Sequence, residues 1–167
     1  MRRITDAIEM NRQRCCCFTG HREDKLQRPQ KEVLEDLKRE IIQAVEDGFT
    51  TFITGMAYGV DIWAGELILE LRKKHRDIHL IAAVPFEGFD SHWNESWRKR
   101  YRRLLKKADE VNYICDGYAS FAYQRRNEWM VDRSSRVIAV YNGEPSGTRN
   151  TINYAKKVDV PVVLIQG

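Results

Sequence analysis

The chain has 167 residues, 43% hydrophobic and 31% charged, a balance that suits one globular domain with a real core and argues against disorder. Its formal net charge of +4 is a mild basic excess, compatible with anionic ligands but not by itself a sign of nucleic acid. No apolar run is long enough to span a membrane, and the opening "MRRITDAIEMNRQR" lacks the apolar centre of a signal peptide, so no membrane partner and a cytoplasmic location are expected.

In chain order, residues 1–13 read as an N-terminal arm ahead of a single domain over 14–167. The first strand is expected at "CCCFTG" (15–20), where Cys15, Cys16 and Cys17 act as small buried residues. Adjacent cysteines lack metal-site spacing, and no metal ligands cluster elsewhere. A helix follows over 30–47, with Val33, Leu34, Leu37, Ile41 and Val45 on one face and Gly48 ending it. Next come a strand at "TTFITG" (50–55) and a helix over 60–75, then a strand at "IHLIAAVP" (78–85) and a helix over 91–108. A strand at 110–115, a helix over 120–134, a strand at 136–143, a helix over 147–157 and a strand at 160–167 complete the alternation.

Strands alternating with helices predict an α/β fold, a mostly parallel sheet of about six strands in a three-layer α/β/α Rossmann-like arrangement. Right-handed crossovers bring every strand's carboxyl end to one edge, where open sheets bind ligands. Four junctions meet there: "TGHR" (Thr19, Gly20, His21, Arg22), "TGMAYGVD" with Gly55, Met56, Gly59 and Asp61, "PFEGF" (85–89), and "YNGEPSGTRNT", which holds Gly143, Ser146, Gly147 and Thr148.

Glycine with a small hydroxyl residue at a helix start suits an anion, because glycine admits an oxyanion to unpaired N–H groups. Asp61 would repel a phosphate, so it either accepts from a sugar hydroxyl or steadies the first turn of its helix. Arg22 suits a phosphate, with His21 as a donor beside it. Neither a G-x-x-x-x-G-K-[ST] loop nor a G-x-G-x-x-G after the first strand is present, which excludes the familiar nucleotide fingerprints.

"WRKRYRRLLKK" (97–107) invites a nucleic-acid reading, but Trp93, Trp97, Tyr101, Leu104 and Ala108 recur at helical spacing and leave the basic residues on a solvated face. Arg125, Arg126 and Asn127 lie near the ligand edge, and Asp132 is a partner for Arg136 or a support for Arg126. Glu87, Asp61 and Glu66 are the only acids placed for hydrolysis, and Glu66 is expected to point away or form a salt bridge.

"FTGHR", "ITGMAYGVDIWAGE", "VPFEGF" and "RRNEWMVDRSSRVIAVYNGEPSGTRNTINYAKK" together resemble the SLOG superfamily, and within it the YpsA-like branch of uncharacterised function. That superfamily includes LOG phosphoribohydrolases and the DNA-processing Smf/DprA proteins. The resemblance implies a Rossmann-like fold and a nucleotide or nucleotide-derived ligand, with no required cofactor. Its ligand contacts would be Gly20, His21, Arg22, Gly55, Gly59, Asp61, Arg126, Asn127, Ser146, Gly147 and Thr148. LOG relatives also imply a homodimer through the helix around 121–135.

In LOG hydrolases a Gly-Gly-x-Gly-Thr loop is followed by a catalytic glutamate; here Arg149, Asn150 and Thr151 stand where that acid would be, while Arg126 matches the pattern's arginine. A sensor or binding module is therefore the first expectation. A hydrolase cleaving an N-glycosidic or phosphate bond is the second, and a single-stranded nucleic-acid binder the third; whether the chain is an enzyme stays open.

Overall fold

The computed structural model describes residues 11–167; most of the N-terminal arm, residues 1–10, lies outside the described residues. Six strands, β1 (Cys15–Gly20), β2 (Thr51–Thr54), β3 (His79–Val84), β4 (Glu110–Tyr113), β5 (Arg136–Tyr141) and β6 (Val162–Gln166), alternate with five α-helices among the described residues. The helices are α1 (Gln30–Glu46), α2 (Val60–Arg72), α3 (Glu95–Lys107), α4 (Ala122–Asp132) and α5 (Gly147–Lys157). The strands form one sheet in the order β4-β3-β2-β1-β5-β6, every neighbouring pair parallel. This is the expected Rossmann-like α/β fold. Strand order reverses between β1 and β5, so the crevice that α/β sheets use for ligands opens beyond Gly20 and Tyr141.

Side-chain alternation along the strands feeds two cores. Cys16, Phe18, Phe52, Leu80 and Ala82 face α1, α2 and α3, meeting Leu37, Ile41, Ile68, Trp97 and Leu104. Cys15, Cys17, Ile53, Ile81 and Val137 face α4 and α5, meeting Met130, Val131, Ile152 and Ala155. The three consecutive cysteines follow from this: β1 is central, so both its faces are buried and each position takes a small apolar group. Burial pushes the thiols up, Cys15 to about 11 and Cys17 to about 12, which leaves them inert.

Two expected elements differ in detail. The helix expected from residue 91 begins at Glu95, because the Asn94 side chain accepts the Trp97 backbone N–H (3.0 Å) and so caps the helix there. Trp93 precedes that helix and packs edge-on against Tyr58, Phe89 and Tyr101. The expected partner of Asp132 is also different. Arg136 pairs with Asp47 (2.9 Å), and Asp132 accepts the Tyr154 hydroxyl (2.6 Å), tying α4 to α5. No helix of the described residues is long and apolar enough to cross a membrane.

Candidate functional site

The β2–α2 junction depends on a glycine at positive φ. Gly59 holds φ +99°, and a Cβ there would stand 2.7 Å from the His21 carbonyl oxygen and 2.8 Å from Arg22 Cα. The glycine lets the start of α2 press against the turn after β1. A Cβ on Gly55 would stand 2.9 Å from Asp61 Oδ2 and 3.1 Å from the Arg126 guanidinium. Both glycines thus make room for the protein's own groups, and neither lines the cleft beyond the sheet. Met56 takes φ +65° and is fully buried in the core, and Gly143 stands at an exposed turn with φ +91°; they too lie outside the cleft lining.

The remaining expected residues come together. A cleft of about 340 Å³ beyond β1 and β5 is lined by Thr19, Gly20, His21 and Arg22, by Asp61, by Arg126 and Asn127, and by Ser146, Gly147 and Thr148. Lys25, Ala57, Phe89 and Tyr123 join them, and the motifs did not single these out as contacts. Phe89 sits in the quoted "PFEGF" and Tyr123 one turn ahead of Asn127, so aromatic residues beside an expected ligand edge were the available signal.

On one wall, α5 begins with its N-terminus at the cleft. Ser146 caps it, its Oγ accepting the Arg149 N–H (3.2 Å) and donating to the Glu144 carbonyl (3.1 Å). The first N–H groups of the helix have no partner inside it and carry its positive end. The loop before it is held by Asn142, whose side chain donates to the Lys25 carbonyl (3.1 Å) and accepts the Glu144 N–H (2.9 Å).

His21 is buried, and its Nε2 accepts the Asn142 backbone N–H (3.0 Å). That bond requires a lone pair on Nε2, so the neutral ring carries its proton on Nδ1. Burial lowers the His21 pKa below its ordinary 6.5, against a smaller upward pull from Glu144. Nε2 is therefore occupied, and Nδ1–H is the ring's remaining donor. Arg22 is exposed and stacks over Tyr58 at 4.8 Å.

On the floor, Arg126 and Asp61 are both nearly sealed from solvent, at 6% and 5% exposed. Arg126 donates through Nε to Asn127 Oδ1 (2.8 Å) and through a terminal nitrogen to the Gly55 carbonyl. Asp61 Oδ2 accepts the Ala57 N–H (3.3 Å), while Oδ1 has no hydrogen-bond partner among the described residues. Burial raises the Asp61 carboxyl to about 6, partly opposed by Arg126. Phe89 lies 5.7 Å from the Arg126 guanidinium and 5.9 Å from Tyr123, forming the aromatic wall.

Of the other acids, Glu87 is exposed and away from the cleft, and Glu66 pairs with Arg100. A second depression of about 320 Å³ lies between the carboxyl-terminal halves of α2 and α3, at the opposite edge of the sheet. No group of three or more His, Cys, Asp or Glu side chains able to hold a metal occurs among the described residues.

Residues 16–165 match the model of the YspA SLOG family. The chain belongs to that family. A relative of the YspA SLOG chain is the uncharacterised SPbeta prophage-derived protein YoqJ of Bacillus subtilis strain 168, 38% identical over 138 residues, which are 72% of this chain and 81% of YoqJ. Among solved structures, DNA processing protein A (DprA) of Helicobacter pylori, described for its single-stranded DNA binding mode, aligns with a TM-score of 0.68 at 19% identity. That alignment covers 95% of this chain and 67% of the other. DprA of Streptococcus pneumoniae aligns with a TM-score of 0.65 at 17% identity over 93% of this chain, which spans about half (51%) of that protein. At such identities the likeness is one of fold: the YspA SLOG chain shares the Rossmann-like scaffold of the DprA proteins.

Proposed function

We propose that the cleft binds a nucleotide or nucleotide-derived small molecule and that the protein acts as a binding module. One observation carries this reading: anion donors and aromatic side chains line the same cavity. The start of α5, Arg22 and Lys25 supply the donors, and Phe89 and Tyr123 supply the rings. An inorganic anion uses only the first and an apolar ligand only the second. A nucleotide uses both, phosphate against N–H groups and base against rings.

Hydrolysis has less support, because the one carboxylate in the cleft, Asp61, is sunk beside Arg126, and α5 lacks an acid in its first turn. Nucleic-acid binding along α3 also has less, because Arg98, Arg100 and Arg102 pair with Asp90, Glu66 and Glu95. Thermal melts against nucleoside mono-, di- and triphosphates, NAD and ADP-ribose test the reading. A ligand at a hundredfold excess over its Kd adds about 2.7 kcal/mol, and the ligand should be recovered intact. The gain should disappear in Arg22→Ala/Lys25→Ala, both exposed positions. No gain with any nucleotide would refute it; breakdown of the ligand would favour the hydrolase, and salt-sensitive oligonucleotide binding the nucleic-acid reading.

A further inference from the structure

We propose that His21 is a specificity-determining residue of the cleft: locked in one neutral tautomer by Asn142, its ring donates through Nδ1–H to an oxyanion of the ligand and does not act there as a base. This rests on the reading of the cleft as a nucleotide site.

The observation is a buried ring with one nitrogen used and one left over. His21 lines the cleft at 7% exposure, and its Nε2 accepts the Asn142 backbone N–H (3.0 Å). Nδ1 has no hydrogen-bond partner among the described residues, yet it is not sealed from solvent as Asp61 Oδ1 is. Thr19 and Thr148, 6% and 4% exposed, line the same cavity, and their hydroxyls are in the same condition, unpartnered and unsealed. Three polar residues, from β1, the turn after it and α5, thus keep unused hydrogen-bonding atoms at one cavity. Folds pair their buried polar groups, so unpaired ones that open on a cavity are there to be met by what enters it.

The Asn142 contact decides what the ring can do. An N–H aimed at Nε2 requires a lone pair there, so the proton sits on Nδ1. A ring in that state has no lone pair left for the cleft: through Nδ1 it can neither take a proton nor coordinate a metal. Moving the proton to Nε2 would set two donors against each other. Asn142 is held against swinging away, because its side chain donates to the Lys25 carbonyl (3.1 Å) and accepts the Glu144 N–H (2.9 Å). The ring itself is stacked on Tyr141, with centres 5.8 Å apart. Donation is what remains.

The surroundings of Nδ1–H name the acceptor. Among the lining side chains the carboxylate and amide oxygens are taken or sealed: Asp61 Oδ2 accepts the Ala57 N–H, its Oδ1 is closed off, and Asn127 Oδ1 accepts Arg126 Nε. The loop that starts at Asn142 runs into α5 at Gly147, where the unpaired N–H groups of the first turn add donors. Such a set of donors suits an oxyanion, and the neutral ring contributes a directed bond rather than a second charge.

The test is NMR of the histidine ring nitrogens in the 167-residue chain, titrated with AMP, ADP-ribose and, as the control without phosphate, adenosine. On saturation with AMP or ADP-ribose the His21 Nδ1–H should exchange more slowly with water and move downfield, with Nε2 still unprotonated, while adenosine leaves it unmoved. His21→Gln, whose amide oxygen can keep the Asn142 N–H but which places no donor at the Nδ1 position, assigns the signal, with folding checked by circular dichroism. It should bind the same phosphates about 10- to 100-fold more weakly, as for loss of one hydrogen bond to a charged group. A phosphate ligand that binds without changing Nδ1–H, a proton found on Nε2, or wild-type affinity in His21→Gln would overturn the proposal while leaving the nucleotide site standing. An equal response to adenosine would overturn the oxyanion as the acceptor. Binding of none of the probes would overturn the reading of the site itself.

Discussion

Replacing Asp61 by Asn should make the protein more stable at neutral pH. Burial raises the carboxyl from 3.8 to about 6, with the pull of Arg126 already opposing that rise. The folded state therefore binds a proton more tightly than the unfolded chain does. The stability this confers is complete below the unfolded value and is lost as pH rises through about 6. At neutral pH the wild type holds the charge against its preference, by roughly two pKa units, or about 3 kcal/mol. Asn resembles the protonated acid in shape, its oxygen can keep the Ala57 N–H, and it never ionises. Urea unfolding of both proteins should show the variant about 3 kcal/mol more stable near pH 7.5, shrinking to about 1 kcal/mol near pH 4.5. The titration of His21 is common to both proteins, so it cancels in the difference. A variant less stable than the wild type at neutral pH, or a gain independent of pH, would refute the reasoning. A stabilised variant that loses ligand binding would show Asp61 kept for function at the expense of stability.

Gly59→Ala should destabilise the fold by about 1–3 kcal/mol from its backbone angle alone, with the overlap on His21 and Arg22 adding to this, and urea melts would show it. Ser146→Ala should remove about 1 kcal/mol through loss of the α5 cap, read as a lower Tm, and should also weaken anion binding. His21 should titrate below 6.5 by NMR with Nε2 unprotonated at neutral pH. Because its folded pKa is lowered, its contribution to stability is complete above the unfolded value and is lost as pH falls through the folded one.

The alternation of strands and helices was legible because each buried strand is a continuous apolar run and each helix carries a stripe, as with Leu37 and Ile41 in α1. Convergence on the carboxyl edge followed from topology, which placed His21, Asp61, Arg126 and Thr148 around one cavity. The glycines were harder. A sequence shows that Gly55 and Gly59 permit a close approach but not what approaches, and here the approaching groups are Asp61, Arg126 and the turn after β1. Lys25 was hidden because a bond from Asn142, far along the chain, holds its turn beside the cleft. The pairing of Asp132 with Tyr154 depends on how α4 lies on α5, which local spacing does not encode.

The most direct test of the nucleotide site is an NMR titration of the amide-labelled protein with the nucleotide that gives the largest thermal shift. The expected result is saturable movement of the amides of Gly147 and Thr148 at the start of α5, together with Asn127 and Lys25, while the amides along α3 stay still. Movement confined to Arg98–Lys107, or no saturable movement at the four cleft amides, would contradict it.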